Sequence, residues 1–406
     1  MSSVPALRQR VLQWYRRHPP LAAGVRQALA AVEEAVLEAE ELGEVSYPRE
    51  GDREGVTFHP GYGLLPDDQG VRWTRVFRDQ DRFHKILLVL DTMRRLVEGG
   101  RRTTKRDIFY ENFTEFSSQA EVDRMVAEVV TMLQVPRLQL GVMATSKGLV
   151  VGDLAYTNSE GVTVDLRLAV GGDTIPQDVP EVELLRSGAH FLLVVEKDAI
   201  FQRLLEEGVM TGALPPFVMV TGKGMPDLAT RQLVYRLSTE LLLPTFLLTD
   251  CDPYGLEIGL TYKFGSLAMA WAPERLAVPS ATLLGLLPSD VARLAIPPAS
   301  MREFSEEDWK KVQDLHDRDY VREACPLLVE ELETLWQLGR KAEIQQVAAV
   351  VWMSQLLIVC PRCPRRGRRA SWCAPSCRRG SYSPRSARPG ASPCSRRSLG
   401  SHLSMI

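Results

Sequence analysis

The chain has 406 residues, 45% hydrophobic and 25% charged, enough for a sizeable core and more than one domain; no apolar run approaches the roughly 18 to 20 residues that cross a bilayer, which excludes a membrane-spanning role. The first thirty residues hold Arg8, Arg10, Arg16, Arg17 and Arg26 in place of a secretory segment, and only Cys251 and Cys325 precede residue 360, too few for a disulfide framework, so an intracellular protein is expected. The net charge of −2 hides an asymmetry: eleven arginines and no acid follow Glu343, which leaves residues 1–343 with 38 basic and 51 acidic residues, or −13, and any nucleic-acid site on that acidic body must be local and cation-assisted.

Residues 24–43 carry Ala, Val and Leu at helical spacing and end on Gly43, the pattern of an amphipathic packing or partner-docking helix with a glycine stop. The stretch from 44 to 70, with Pro48, Gly51, Pro60, Gly61, Gly63 and Pro66, reads as a turn-rich lead-in. A helix is expected from Phe77 to Gly99, then a short one capped by Thr104 that carries Lys105 to Tyr110. A third opens on the capping box Ser118-Gln119-Ala120-Glu121 and stops before Pro136. Two extended segments, LQLGVMAT and GLVVGDLAYT, flank a turn at Ser146-Lys147-Gly148. Three helices and a hairpin describe a winged helix-turn-helix, a weak signal by itself.

After a Gly/Pro/Asp-rich bridge near 171–181, strands and helices alternate: FLLVVE before a helix at 198–207, FVMVTG before one at 227–241, TFLLTD before one at 256–264. This is the rhythm of a parallel sheet with crossover helices. The whole reads as a multi-domain α/β protein: a lead-in over 1–70, a winged-helix domain over 71–170, a parallel α/β domain over 171–345 and an atypical tail over 346–406.

Ligands of such sheets bind beyond the carboxyl ends of the strands, where Glu196, Asp250 and Asp252 fall. Three carboxylates at one rim suit Mg²⁺, a hard cation that takes oxygen ligands; the bland alternative for each is a helix cap or turn. Thr221-Gly222-Lys223-Gly224-Met225-Pro226-Asp227 lacks P-loop spacing, and either brings Lys223 and backbone amides to a DNA phosphate or is a plain tight turn. Arg231, on the helix that follows, is a further candidate DNA contact. Tyr110 belongs to a Phe-Tyr pair on a short helix, an arrangement usually found in cores. A phenol becomes an adequate nucleophile only beside cations or a base, and Lys105 and Arg106 lie one turn away.

Four motifs now stand in order: Lys105-Arg106-Asp107-Ile108-Phe109-Tyr110; Val195-Glu196-Lys197-Asp198; Gly222-Lys223-Gly224 with Pro226-Asp227; and Asp250-x-Asp252-Pro253-x-Gly255. Together, over about residues 75–345, they strongly resemble the topoisomerase VI A-subunit family, and more closely its eukaryotic meiotic double-strand-break branch. The resemblance implies a winged-helix domain followed by a Toprim domain that binds Mg²⁺ through Glu196, Asp250 and Asp252. It implies a type IIB topoisomerase-like transesterase in which Tyr110 attacks a phosphodiester of double-stranded DNA to give a 5′-phosphotyrosyl link and a free 3′-hydroxyl. Arg106 would support the phosphate or phenolate, and Lys105, Lys223 and Arg231 could touch DNA. Two protomers are implied, each tyrosine facing the other's metal site, with a topoisomerase VI B-like subunit docking near the N-terminus, in the nucleus. The general base is unassigned.

The likeness by motif runs to Lys341-Ala342-Glu343-Ile344-Gln345. Beyond it the composition turns to Arg, Ser, Pro, Gly and Cys, which cannot bury a core and looks like an alternative or shifted reading frame. Cys360, Cys363, Cys373 and Cys377 fall in C-x2-C and C-x3-C pairs, a spacing that brings zinc to mind but lacks the ordered turns a knuckle needs. Two other readings stay open: a Toprim-type nuclease or primase in which Tyr110 is only core, and a DNA-binding isoform that keeps the fold without the chemistry.

Overall fold

The computed structural model describes residues 46–48, 56–60, 62–66, 73–75, 80–133, 135–143, 146–211, 214–270 and 276–345. The helix expected over 24–43, much of the lead-in and the Arg-rich tail with its cysteines lie outside the described residues.

Three helices come first: α1, Gln80–Gly99, α2, Lys105–Glu111, and α3, Gln119–Leu133. On α1, Ile86, Val89, Leu90 and Met93 recur at helical spacing and are fully buried. They meet Val122, Val126, Val129 and Leu133 of α3, each such side chain contributing roughly 1.5–3 kcal/mol of gross burial. α2 is short and held by its cap. Thr104 Oγ1 accepts from the Asp107 amide at 3.2 Å, and Asp107 Oδ2 accepts from the Thr104 amide at 3.1 Å, so two otherwise orphaned donors are satisfied reciprocally.

Lys85 on α1 ties α3 in place by donating to Glu121 Oε1 at 2.9 Å, while Glu121 Oε2 accepts from the Ser117 amide at 2.8 Å. Of the box expected at Ser118 only the Glu121 half forms, and it reaches back to Ser117. The Lys85 hydrogen bond and then the Ser117 amide hold the Glu121 carboxyl at about 2. A folded value below the unfolded one means stability that is complete above the ordinary glutamate range and lost as pH falls from about 4 toward 2. Glu121→Gln is expected to cost about 1–2 kcal/mol at neutral pH and to flatten the acid limb of a urea-midpoint-versus-pH curve.

The expected wing is not built as a hairpin. Val142–Met143 pairs in parallel with Thr103–Thr104, while Leu149–Gly152, strand β1, turns away and joins the large sheet. Its partners are distant in sequence, so local patterning could not reveal them. Gly152 at φ +123° makes the close approach possible, since a Cβ there would lie 2.2 Å from the Phe217 carbonyl oxygen. Gly152→Ala should therefore lower the urea midpoint by an amount equivalent to at least about 2 kcal/mol.

The sheet also contains β2, Asp173–Thr174, β3, Leu192–Val195, β4, Val218–Thr221, β5, Thr245–Leu248, and β6, Thr282–Gly285. Their spatial order is β2-β1-β4-β3-β5-β6, with β4, β3, β5 and β6 parallel and β1 antiparallel to β4. Helices α4, Asp198–Glu206, α5, Leu228–Glu240, and α6, Pro253–Phe264, supply the crossovers, within three residues of the expected spans.

Both sheet faces are buried, as all-apolar parallel strands require. Leu193, Val195, Met219, Phe246 and Leu248 pack on one side with Ile200, Phe201 and Leu204 of α4. Leu192, Val194, Val218, Val220 and Leu247 pack on the other with Leu233, Val234 and Leu237 of α5. Helices Glu306–His316, Asp319–Ala324 and Pro326–Leu338 complete the first face through Leu315, Val321 and Leu332. The chain then returns to the sheet rim: Arg340–Lys341 pairs with Arg302–Glu303, and Ala342 bridges Cys251.

Candidate active site

Central β3 is flanked by β4 and β5, and Val195 is in register with Thr221 on one side and Leu248 on the other. The residues that follow these strands therefore share one rim, which is what brings Glu196, the 222–227 loop and Asp250 to Asp252 together.

Each acid has a separate local tether. Glu196 Oε2 accepts from the Asp250 amide at 2.8 Å, so it fixes the neighbouring strand end and caps no helix. Asp250 Oδ1 accepts from the Ile344 amide at 2.9 Å, and Oδ2 is ion-paired with Lys197. Asp252 is the cap of α6, its Oδ1 accepting from the Gly255 amide at 2.7 Å; here the bland reading of an acid after a strand is correct, but only for one oxygen. Glu196 Oε1 and Asp252 Oδ2 have no hydrogen bond or ion pair among the described residues.

Burial, and next the charge of Asp250, pushes the Glu196 carboxyl up to about 7. Burial first, with Asp250 again adding repulsion, raises Asp252. Three acids crowded at a partly dry rim, two of them with an uncommitted oxygen, form a donor set that fits a hard divalent cation. Among the described residues no three such side chains are already closed into a ligand shell, and Lys197 sits on Asp250. Its Nζ also lies 3.1 Å from Glu343 Oε2 and 3.2 Å from Gln345 Oε1. The sequence reading did not single out Lys197 or Glu343, although both stand inside quoted motifs; the signal available was a cation directly after a metal-type glutamate.

Tyr110 is turned outward. Ile108 enters the helical core, Phe109 packs against its margin, and Tyr110 is 64% exposed, so it is not the core aromatic that a Phe-Tyr pair usually supplies. The two rings lie 5.7 Å apart. Arg106, one turn before it, is exposed and has no ion pair among the described residues, whereas Lys105 is engaged by Asp123 at 2.9 Å. No hydrogen bond, ion pair or ring contact joins Tyr110 to Glu196, Asp250 or Asp252 among the described residues.

The other candidate contacts divide. Lys223 sits on the rim at φ +53° and pairs with Asp198 at 3.2 Å, and Lys147 donates to its carbonyl at 3.2 Å. Arg231 is only 3% exposed and donates to the Met269 sulfur at 3.3 Å; packing of α5 takes it inside, so it is withdrawn as a surface contact.

Two family models match the chain: the Toprim domain of the topoisomerase 6 A-subunit/Spo11 family over residues 191–355, and "Type IIB DNA topoisomerase" over residues 81–142. Human "Meiotic recombination protein SPO11" is 38% identical over 269 residues, 66% of this chain and 67% of that protein. The chain belongs to the topoisomerase VI A-subunit/Spo11 family. The mouse protein of the same name is 41% identical over 65% of this chain and 66% of its own length. The A-subunit of DNA topoisomerase 6 from Arabidopsis thaliana is 37% identical over 61% of this chain and 57% of its own. The chain thus spans about two thirds or less of these relatives. The first model contains all three rim acids and extends to residue 355, past Gln345 where the motifs ran out, and the second contains Tyr110 and Arg106. The parallel strands β3 to β6 lie within the family's Toprim match over residues 191–355, and β1 and β2 precede it.

Proposed function

We propose that this chain is a DNA-cleaving transesterase that initiates meiotic recombination through double-strand breaks in the nucleus. The single observation that carries the reading is the outward Tyr110 with exposed Arg106 one turn away, on a capped helix inside the region matched by the type IIB topoisomerase model. The Tyr110 ring stays out of the helical core, which leaves the phenolic oxygen accessible to a phosphodiester.

In the proposed step the Tyr110 oxygen attacks the phosphorus of double-stranded DNA. The bond from phosphorus to the 3′ oxygen breaks, a 5′-phosphotyrosyl link forms, and the proton lost by the phenol is matched by the one the released 3′ oxygen takes up. Arg106 is placed to attract the phosphate or favour the phenolate. Glu196, Asp250 and Asp252 would hold Mg²⁺, which offsets charge on the phosphate and leaving oxygen. Lys105 and Lys223 guide the duplex once their present carboxylate partners yield to phosphate. Helices α1 to α3 of the 71–170 segment, with Val142–Met143 paired to Thr103–Thr104, serve as a winged-helix module, while β1 of the same segment joins the sheet of the metal domain over 171–345. Since Tyr110 and the acids are not in contact within one chain, two chains acting in trans, joined by a topoisomerase VI B-like subunit, fit the arrangement.

Full-length chain, partner subunit, duplex DNA and Mg²⁺ should give protein bound to DNA 5′ ends after denaturation. No adduct under conditions where a relative with the family's usual end gives one would favour the inactive DNA-binding reading, which the tail of eleven arginines and no acid also suggests. A metal-dependent nuclease or primase would leave free ends and no adduct.

A further inference from the structure

We infer that Lys197 is an internal cation that occupies the metal's place at Asp250, and that Glu343 and Gln345 are the seat it withdraws to when the metal binds. The inference rests on the reading of Glu196, Asp250 and Asp252 as metal ligands and adds a competitor to it.

Asp250 has two oxygens and one is spent. Oδ1 is fixed by the Ile344 amide, and Oδ2, the one left for a cation, is paired with Lys197. An ammonium and a divalent ion compete for that oxygen, because like charges held side by side at a half-buried rim repel. Lys197 must leave for the metal to enter.

The chain provides a short path for that withdrawal. Glu343 Oε2 and Gln345 Oε1 already lie 3.1 and 3.2 Å from Nζ, so the lysine gives up one partner and keeps two. Arg302 pairs with Oε1 of Glu343 at 3.2 Å, on the side away from the lysine's contact with Oε2. The segment bearing both acceptors is itself fastened to the acid loop through the Cys251 to Ala342 bridge, which keeps the second seat at a constant reach.

Metal affinity then includes the work of moving Lys197. The test uses Mn²⁺ alone as an EPR-active probe, titrated into the full chain. Lys197→Gln should tighten binding about tenfold, and Lys197→Arg, which keeps a cation between the same acceptors, should stay within about twofold of the parent. Glu343→Gln removes the second seat and should weaken binding about threefold in the parent but not in the Lys197→Gln background. That non-additivity separates a seat for Lys197 from simple through-space attraction of the metal by Glu343, which would weaken both backgrounds equally and overturn the inference. Unchanged or weaker binding by Lys197→Gln, in a sample whose thermal melt without Mn²⁺ shows it folded, would also overturn it. If Lys197→Gln does not fold, Lys197→Met takes its place with and without Glu343→Gln, and the same non-additivity decides: weakening only where Lys197 is present supports the inference, and equal weakening in both backgrounds refutes it. Failure of the parent to bind Mn²⁺, or binding indifferent to Asp252→Asn, would instead refute the metal reading beneath it.

Discussion

Tyr110→Phe is expected to abolish covalent attachment of the protein to DNA 5′ ends while leaving its melting temperature within a degree or so of the parent. The substitution removes only the phenolic oxygen. With the nucleophile gone no phosphotyrosyl bond can form, so adduct recovered under denaturing conditions should fall at least about a thousandfold. Stability is untouched because the ring is 64% exposed and its hydroxyl has no partner among the described residues; surface changes of this kind usually stay within about 0.5 kcal/mol. Binding to duplex DNA, read by mobility shift, should persist. Adduct at parental levels in the Phe variant would end the assignment of Tyr110, and a large loss of stability would mean the side chain packs in a way its exposure denies.

Asp250→Ala should damage both chemistry and fold. Asp250 is 1% exposed, accepts the Ile344 amide and balances Lys197. Alanine orphans a buried N–H and strips a part-buried ammonium of one counter-charge, and each loss carries a penalty of about 1–3 kcal/mol. Glu343 and Gln345 still hold the lysine, so the expected total is about 2–4 kcal/mol, read as a lower urea midpoint. Adduct formation should be lost even at temperatures where the variant remains folded, with DNA binding retained. Glu196→Gln offers the contrast: Oε2 can still accept from the Asp250 amide, and neutralisation removes repulsion from a carboxyl already pushed up to about 7. Stability should be kept or rise while adduct is lost.

What was legible in the sequence follows physical range. Apolar residues at helical spacing marked α1, a capping box marked α3, and Thr104 was visible as a cap, though its exchange with Asp107 was not. Glu196 and Asp250 to Asp252 could be read as strand-end acids because a parallel sheet forces its strand ends to one side. The outward direction of Tyr110 was not legible, since a seven-residue helix is too short for periodicity to set its rotational phase; family likeness supplied the tyrosine. Arg231 looked like a surface cation because nothing local says which face α5 buries. β1 was misread because a strand's partners are chosen by the assembled sheet. Lys197 and Glu343 meet across 146 residues, a distance at which no spacing rule operates.

The return of the chain to the rim has a consequence for how the site comes into being. Asp250 receives its buried backbone donor from a residue 94 positions later, and Lys197 gains its second seat only with Glu343 and Gln345. A chain emerging from the ribosome therefore displays every motif acid long before the rim can close. The closing contacts, which span a long loop, form late in folding. Growth arrested before residue 340 would yield a polypeptide with Tyr110, Glu196, Asp250 and Asp252 all present and the carboxylate loop still open. Completion of the candidate site in this sense waits for residues 340–345 to emerge, far behind the acids they hold.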